Sequence, residues 1–363
     1  MRVGSQNRQD LTWLKEFLAP QSRSIRSMTF DCQISLRYDP DKYRMILQKG
    51  SHPSGRQVDC FALDTKTVRL PLWDSNEGEQ IMHDPQFNVF YRVNRHGEQV
   101  LILALDDALW NGRIALMRVV REFAMNYATH RGGIILHGSS FLHRGQGIAV
   151  AGPKRSGKTT FLINILRNKS IKYVSNDRVL VSSTQKGPVL QRISTIVTLR
   201  PPMLRLFPEF KQRLTCSSYS PCLSLSEARK SLLGPISKDH EGRFSLSPAQ
   251  LLELLDVVPA SRGRLGVLLF PRITRQRGGM KLRRLSGQAA LQKLTRSLFR
   301  AAFFNKRSNV FCLSGGGIGP DQISLNQFCR KLVSEVKCFD CELGEDAYRG
   351  SQPIERLLRQ LQA

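Results

Sequence analysis

Gly152-Pro-Lys-Arg-Ser-Gly157-Lys158-Thr159 matches the pattern G-x-x-x-x-G-K-[ST] in full. At average residue usage a chain of this length contains such a match by chance roughly once in a hundred cases. The flanks strengthen the match. Gly147-Ile-Ala-Val-Ala151 precedes it, an apolar run of the length of a buried strand. Thr159-Thr-Phe-Leu-Ile-Asn-Ile-Leu166 follows, with Phe161, Leu162, Ile165 and Leu166 at helical spacing. Strand, glycine loop and helix are the arrangement that the motif requires. The alternative is a Gly/Ser-rich turn before an ordinary helix.

Gly152 and Gly157 allow a close backbone approach that a side chain would block. Loop N–H groups and the helix N-terminus then face an anion. Gly152, Pro153, Lys154, Arg155, Ser156, Gly157, Lys158, Thr159 and Thr160 are thus the residues expected to hold the phosphates of a nucleoside triphosphate. Lys158 is expected to reach the β- and γ-phosphates, and the Thr159 hydroxyl to ligate Mg²⁺. The best candidate for a second metal-holding acid is Asp177, ending Ile171-Lys-Tyr-Val-Ser-Asn-Asp177, with Arg178 beside it to touch phosphate or pair with the acid. A turn acid is the plainer account. His137 follows another strand-like run, Gly133-Ile-Ile-Leu136, fifteen residues before the loop. A lone histidine is more often structural than catalytic. His130 and His143 carry no supporting pattern and read as structural.

Residues 134–181 resemble the catalytic core of the HPr kinase/phosphorylase superfamily, and most closely its HPr-kinase-related branches. The match rests on Leu136-His137-Gly138, Gly147-Ile-Ala-Val-Ala-Gly152, the loop, its helix, and Asn176-Asp177-Arg178-Val179. The resemblance implies an α/β fold: a P-loop kinase core of the HPr kinase/phosphoenolpyruvate carboxykinase type. It also implies ATP- and Mg²⁺-dependent transfer of a γ-phosphoryl to a serine-type hydroxyl of a protein, peptide or small molecule. It assigns phosphate and metal contacts to Lys158 and Thr159, and places His137 and Asp177 at the reacting phosphate, Asp177 also at the metal. Related kinases assemble, so a homo-oligomer is expected. Two departures stand out. The family's first aspartate, which carries the acid/base role, is Asn176 here, and an amide cannot take a proton from a hydroxyl. Either Asp177 serves as base, or a loose transition state needs no strong base, or the chain is a weak or inactive kinase. The family's glutamate-and-glycine loop is not evident in 182–215, which leaves a third metal-site acid unassigned.

The 363 residues are 41% apolar, enough for a sizeable core divided between two domains. No leader-like apolar segment and no run of 18 apolar residues occurs, which points to a cytoplasmic protein. Cys338-Phe-Asp-Cys341 is a single C-x-x-C without a regular second pair, so buried reduced thiols are the expectation. The net charge of +26 is lopsided. Residues 1–130 hold 17 Lys+Arg against 15 Asp+Glu, and residues 131–363 hold 38 against 14. Between Val257 and Pro320 there are 13 basic residues and no acid. This stretch reads either as a solvated surface or as the seat of an acidic partner. The second possibility gives an alternative function: a nucleotide-gated, catalytically weak module for a polyanion such as nucleic acid.

Three segments follow from the patterning. Residues 1–30 read as a polar basic arm with an amphipathic piece at Leu11–Leu18. Residues 31–130 read as a small β-rich domain ending in a helix over 112–129, with Ile114, Met117, Val120, Phe123, Ala124 and Tyr127 on one face. Residues 131–363 read as the kinase-like domain. Strands are expected at 134–136, 147–151, 171–175, 178–182 and 265–270. One helix is expected to start at Ser247-Pro248, and another from Ser286 to about Phe303 with Lys293, Arg296 and Arg300 on its polar side.

Overall fold

The structure, a computed structural model, describes residues 1–19, 31–49, 56–63, 66–94, 96, 98–105, 110–215, 237–238, 243–274, 276, 278–299, 311, 322–348 and 352–362. It is mixed α/β. The chain divides into two compact units. One comprises Met1–Glu16, Ser22–Gly132 and Arg300–Pro320; the other comprises Phe17–Gln21, Gly133–Phe299 and Asp321–Ala363.

The first unit is built on β1 (Arg2–Ser5), α1 (Arg8–Leu18), β2 (Gln33–Tyr38), α2 (Pro40–Lys49), β3 (Gln57–Leu63), β4 (Lys66–Asp74), β5 (Gln80–Asp84), β6 (Val89–Val93), β7 (Gln99–Ala104) and α3 (Trp110–His130). Short apolar runs broken by turn residues give the antiparallel meander β3 to β7, and β1 and β2 add in parallel beside β7. Residues 1–18 are therefore not the arm read from the sequence. They form a strand and a helix, with Trp13 and Phe17 buried. Helix α3 packs on the sheet, with Met117, Val120 and Phe123 buried as expected, but Ala124 and Tyr127 are exposed. Its buried side is broader than that face and also carries charge. Arg113 Nε donates to Asp10 Oδ1 (2.9 Å) and Arg118 Nη1 donates to Asp84 Oδ2 (3.1 Å), both pairs nearly sealed from water. Such pairs hold register because removing one partner strands a buried charge, at about 3–5 kcal/mol. Phe311 adds to this core, stacked on Phe61 at 5.1 Å between ring centroids.

The second unit comprises β8 (Ile134–His143), β9 (Gln146–Ala151), α4 (Lys158–Ile165), β10 (Ile171–Ser175), β11 (Arg178–Thr184), β12 (Gly187–Arg192), β13 (Val197–Leu199), α5 (Pro201–Leu206), α6 (Pro208–Thr215), β14 (Ser237–Lys238), β15 (Phe244–Leu246), α7 (Pro248–Leu255), β16 (Arg262–Ile273), β17 (Met280–Arg284), α8 (Gly287–Arg296), α9 (Gln322–Glu335), β18 (Lys337–Leu343) and α10 (Gln352–Gln362). β13, β15 and β14 form a small separate sheet. In the main sheet β8 and β16 are long enough to change partners along their length. β8 pairs with β11 through Ile134–His137 and with β9 through Gly138–His143. β16 pairs with β12 at its start, then with β9, then with β18. Since β11 also pairs with β12, the pairing β8–β11–β12–β16–β9 closes on itself. β9, β16 and β18 run parallel, so their C-terminal ends reach one edge.

Helix α4 covers this sheet with Phe161, Leu162, Ile163 and Ile165, against Phe141, Ile148 and Val150 of β8 and β9. Each of these is at most 1% exposed, and burying such a side chain contributes about 1.5–3 kcal/mol. The cap expected at Ser247 is present in full: the Gln250 N–H donates to Ser247 Oγ (3.2 Å) and the Ser247 N–H donates to Gln250 Oε1 (2.8 Å). Ser286 caps α8, but that helix stops at Arg296, short of the expected Phe303. Residues 297–299 are instead drawn onto β8, where the His137 N–H donates to the Ser297 carbonyl (2.8 Å) and the Phe299 N–H donates to the Ile135 carbonyl (2.8 Å). Residues 275, 277, 300–310 and 312–320 of the basic 257–320 stretch, with Arg300 of the expected polar face, lie outside the described residues. Among the described residues no helix is long and apolar enough to cross a membrane.

Candidate functional site

β10 and β11 lie along one edge of β8 almost as a single strand, from Ile171 opposite His143 to Val181 opposite Ile134. Asn176 and Asp177 interrupt it. Asp177 takes a left-handed backbone (φ 70°), which aspartate tolerates better than most residues. The Gly138 N–H donates to its carbonyl (3.0 Å). On the other edge Gly138 pairs with Ala151, the last residue of β9, and the Gly152 N–H donates to the His137 carbonyl (3.4 Å). Gly138 is required there, since a Cβ would lie 2.7 Å from the Val150 carbonyl oxygen. The pairing of β8 therefore gathers His137, the start of the glycine loop and the Asn176–Asp177 kink.

The loop leaves β9 with Pro153, Lys154 and Arg155 exposed. It enters α4 through Gly157 at φ 97°, a conformation that favours glycine. No acid stands in the first turn of α4 and no side chain caps it, so its N-terminal dipole faces the loop unopposed. Lys158 is buried, and its Nζ donates to the carbonyls of Gly152 (2.9 Å) and Pro153 (2.7 Å), curling the loop around the ammonium.

The kink divides its two polar side chains. Asn176 is 4% exposed and turns inward. Its Oδ1 accepts from Ser139 Oγ (3.3 Å) and Thr159 Oγ1 (3.4 Å), and its carbonyl accepts from Thr195 Oγ1 (2.8 Å). Asp177 is part-exposed. Its Oδ1 lies 3.5 Å from His137 Nε2, and its Oδ2 lies 3.6 Å from Arg178 Nε. The Arg178 guanidinium stacks over the Phe299 ring at 4.3 Å. The structure thus brings Lys158, Thr159, Asn176, Asp177 and His137 together. It sets Asn176, rather than Asp177, against the Thr159 hydroxyl. Among the described residues no three His, Cys, Asp or Glu side chains cluster to hold a metal, so a cation here would take oxygens from hydroxyl, amide and phosphate.

Ser139, Thr195 and Phe299 support the site without having been read from the sequence. Ser139 was legible in part, because two residues beyond His137 in a strand it shares that face. Thr195 and Phe299 arrive from other parts of the chain and leave no local signal. Away from the site, burial pushes the thiols of Cys338 and Cys341 up to about 11 and about 12. Part of the basic stretch is already matched. Arg283 Nη2 and Lys293 Nζ bond the two oxygens of Asp340 (2.8 and 2.9 Å), and Arg272 Nη2 bonds Glu342 (3.0 Å). No protein-family model and no curated protein matches the chain.

Proposed function

We propose that the chain is a P-loop kinase of the HPr-kinase-like type, which transfers the γ-phosphoryl of ATP to a serine-type hydroxyl. The observation that carries this reading is the convergence, through the edges of one strand, of His137, the 152–157 loop and Asn176–Asp177. Loop N–H groups and the N-terminus of α4 hold the phosphates, and Lys158 exchanges its two loop carbonyls for β- and γ-phosphate oxygens. Asp177, with His137 Nε2 beside its Oδ1, takes the proton of the attacking hydroxyl. The bond from that oxygen to phosphorus forms as the bond to the departing diphosphate breaks. Arg178, held over Phe299, adds a positive charge next to Asp177. The oxygens of Thr159 and Asn176, 3.4 Å apart, suit Mg²⁺, which takes oxygen ligands and relies on substrate phosphates for part of its shell. When bound, the ion neutralises charge on the β- and γ-phosphates. Asn176 would thus keep an oxygen at the metal while leaving the base role to its neighbour.

Transfer from labelled ATP to serine peptides and small hydroxyl compounds tests the reading. Lys158→Ala is expected to lose about two or more orders of magnitude in rate, since positioning and charge stabilisation are most of phosphoryl transfer. Equal rates for wild type and variant refute it. The amide at Asn176 also favours a second reading, a nucleotide-gated binding module. Its signature is ATP-dependent polyanion binding that falls steeply with salt, without turnover.

A further inference from the structure

β9 lies between β8 and β16, so the glycine loop at its end has two flanks of different chemistry. The β8 flank carries His137, Asn176 and Asp177. The β16 flank ends in Ile273, a large aliphatic side chain that is 43% exposed. A Cβ on Gly157 would fall 2.6 Å from Ile273 Cγ1 and 2.7 Å from its Cδ1, so the isoleucine leans on the loop where α4 begins.

The strand end beneath Ile273 is held firmly. The Thr274 N–H donates to the Leu343 carbonyl (2.9 Å). The segments after β16 and β18 are tied by Gly344 N–H to the Gly279 carbonyl (3.1 Å), Glu345 N–H to the Gln276 carbonyl (3.2 Å), and Gly278 N–H to Asp346 Oδ2 (2.9 Å). Neighbouring Arg272 is engaged with Glu342. What the β16 flank offers is therefore a fixed apolar ledge beside a phosphate cradle.

A triphosphate on this loop has one direction in which it can react. In the kinase reading its γ-phosphoryl stands at the β8 flank, beside Asp177. Three phosphates along the loop then send the nucleoside out at the β16 flank. We propose that Ile273 is the ledge on which the nucleobase of the bound nucleotide lies; this rests on the kinase reading above. A planar ring laid on an aliphatic side chain gains from apolar burial. Such contact reads ring shape, not base edges, so Ile273 serves adenine and guanine alike.

Titration calorimetry of the full chain with magnesium ATP and with magnesium tripolyphosphate reads the two ends of the ligand separately. Ile273→Ser is expected to weaken ATP about tenfold and to leave tripolyphosphate within about twofold, while Ile273→Leu keeps both. Lys158→Ala weakens both ligands. Unchanged ATP binding by Ile273→Ser, or equal weakening of both ligands, overturns the ledge and leaves the kinase reading standing. Failure of the wild-type chain to bind either ligand removes the kinase reading and the ledge with it.

Discussion

Asn176→Asp exchanges an amide nitrogen for a charged oxygen at a position only 4% exposed. The new carboxylate inherits two donors, Ser139 Oγ and Thr159 Oγ1. Hydrogen bonds to a charged acceptor contribute about 1.5–3 kcal/mol each. Against them stand several kcal/mol of desolvation and repulsion from Asp177, the next residue along the chain. The balance without metal is a loss of about 1–3 kcal/mol, or roughly 2–12 °C in Tm for a unit of this size. A divalent cation offsets this loss, because the added charge then faces an ion. Saturation at about a hundred times Kd returns about 2.7 kcal/mol. Asp177 already takes the proton in the proposed mechanism, so a second carboxylate turned toward Thr159 is expected to leave turnover within about tenfold of wild type. Thermal unfolding with and without Mg²⁺, run beside phosphoryl transfer at saturating ATP, measures both effects. A variant whose Tm ignores Mg²⁺ would refute the placement of Asn176 at the metal.

Two further predictions concern stability. Arg192 is buried over the Tyr173 ring at 5.0 Å, burial lowers the pKa of its guanidinium, and none of its side-chain nitrogens has a hydrogen-bond partner among the described residues. Arg192→Met is expected to leave Tm unchanged or raise it, since a charge buried without hydrogen bonds is costly; a loss above about 2 kcal/mol, beyond the worth of a desolvated cation–π contact, refutes that account. Burial lowers the pKa of His83, partly offset by Asp84, and burial followed by Arg144 lowers that of His143. The unfolded chain then binds more protons than the folded one, so stability falls as pH drops through the unfolded value of about 6.5 and levels off above it. Urea midpoints between pH 5 and 7.5 should trace this limb, and the double change His83→Gln, His143→Gln should flatten it. A level wild-type profile over that range contradicts the assignment.

Much of the candidate site was legible before any tertiary structure. The spacing of Gly152, Gly157 and Lys158 is local, and the strand before it and the helix after it follow from apolar patterning. The same holds for the Ser247 cap and for β16, where propensity and packing agree. The failures share a cause. Residues 1–18 look polar and basic, yet Trp13 and Leu14 are buried on one side of α1, a burial that only tertiary packing supplies. Helix α3 hides charged residues because Asp10 and Asp84, far off in sequence, neutralise them. Helix α8 stops early because the open edge of β8 claims residues 297–299.

Sequence alone determined the loop, its flanking strand and helix, and the residue types at 137, 158, 159, 176 and 177. These depend on backbone freedom, hydrophobic period and chemistry within a few residues. Tertiary structure decided which atoms meet. Because β8 pairs with β9 on one edge and with β10 and β11 on the other, His137 and Asp177 converge while Asn176 faces Thr159. Folding also brought Asp340 and Glu342 to three of the basic residues between Val257 and Pro320. Strand registry and charge pairing act between residues distant in the chain, and no local pattern records them.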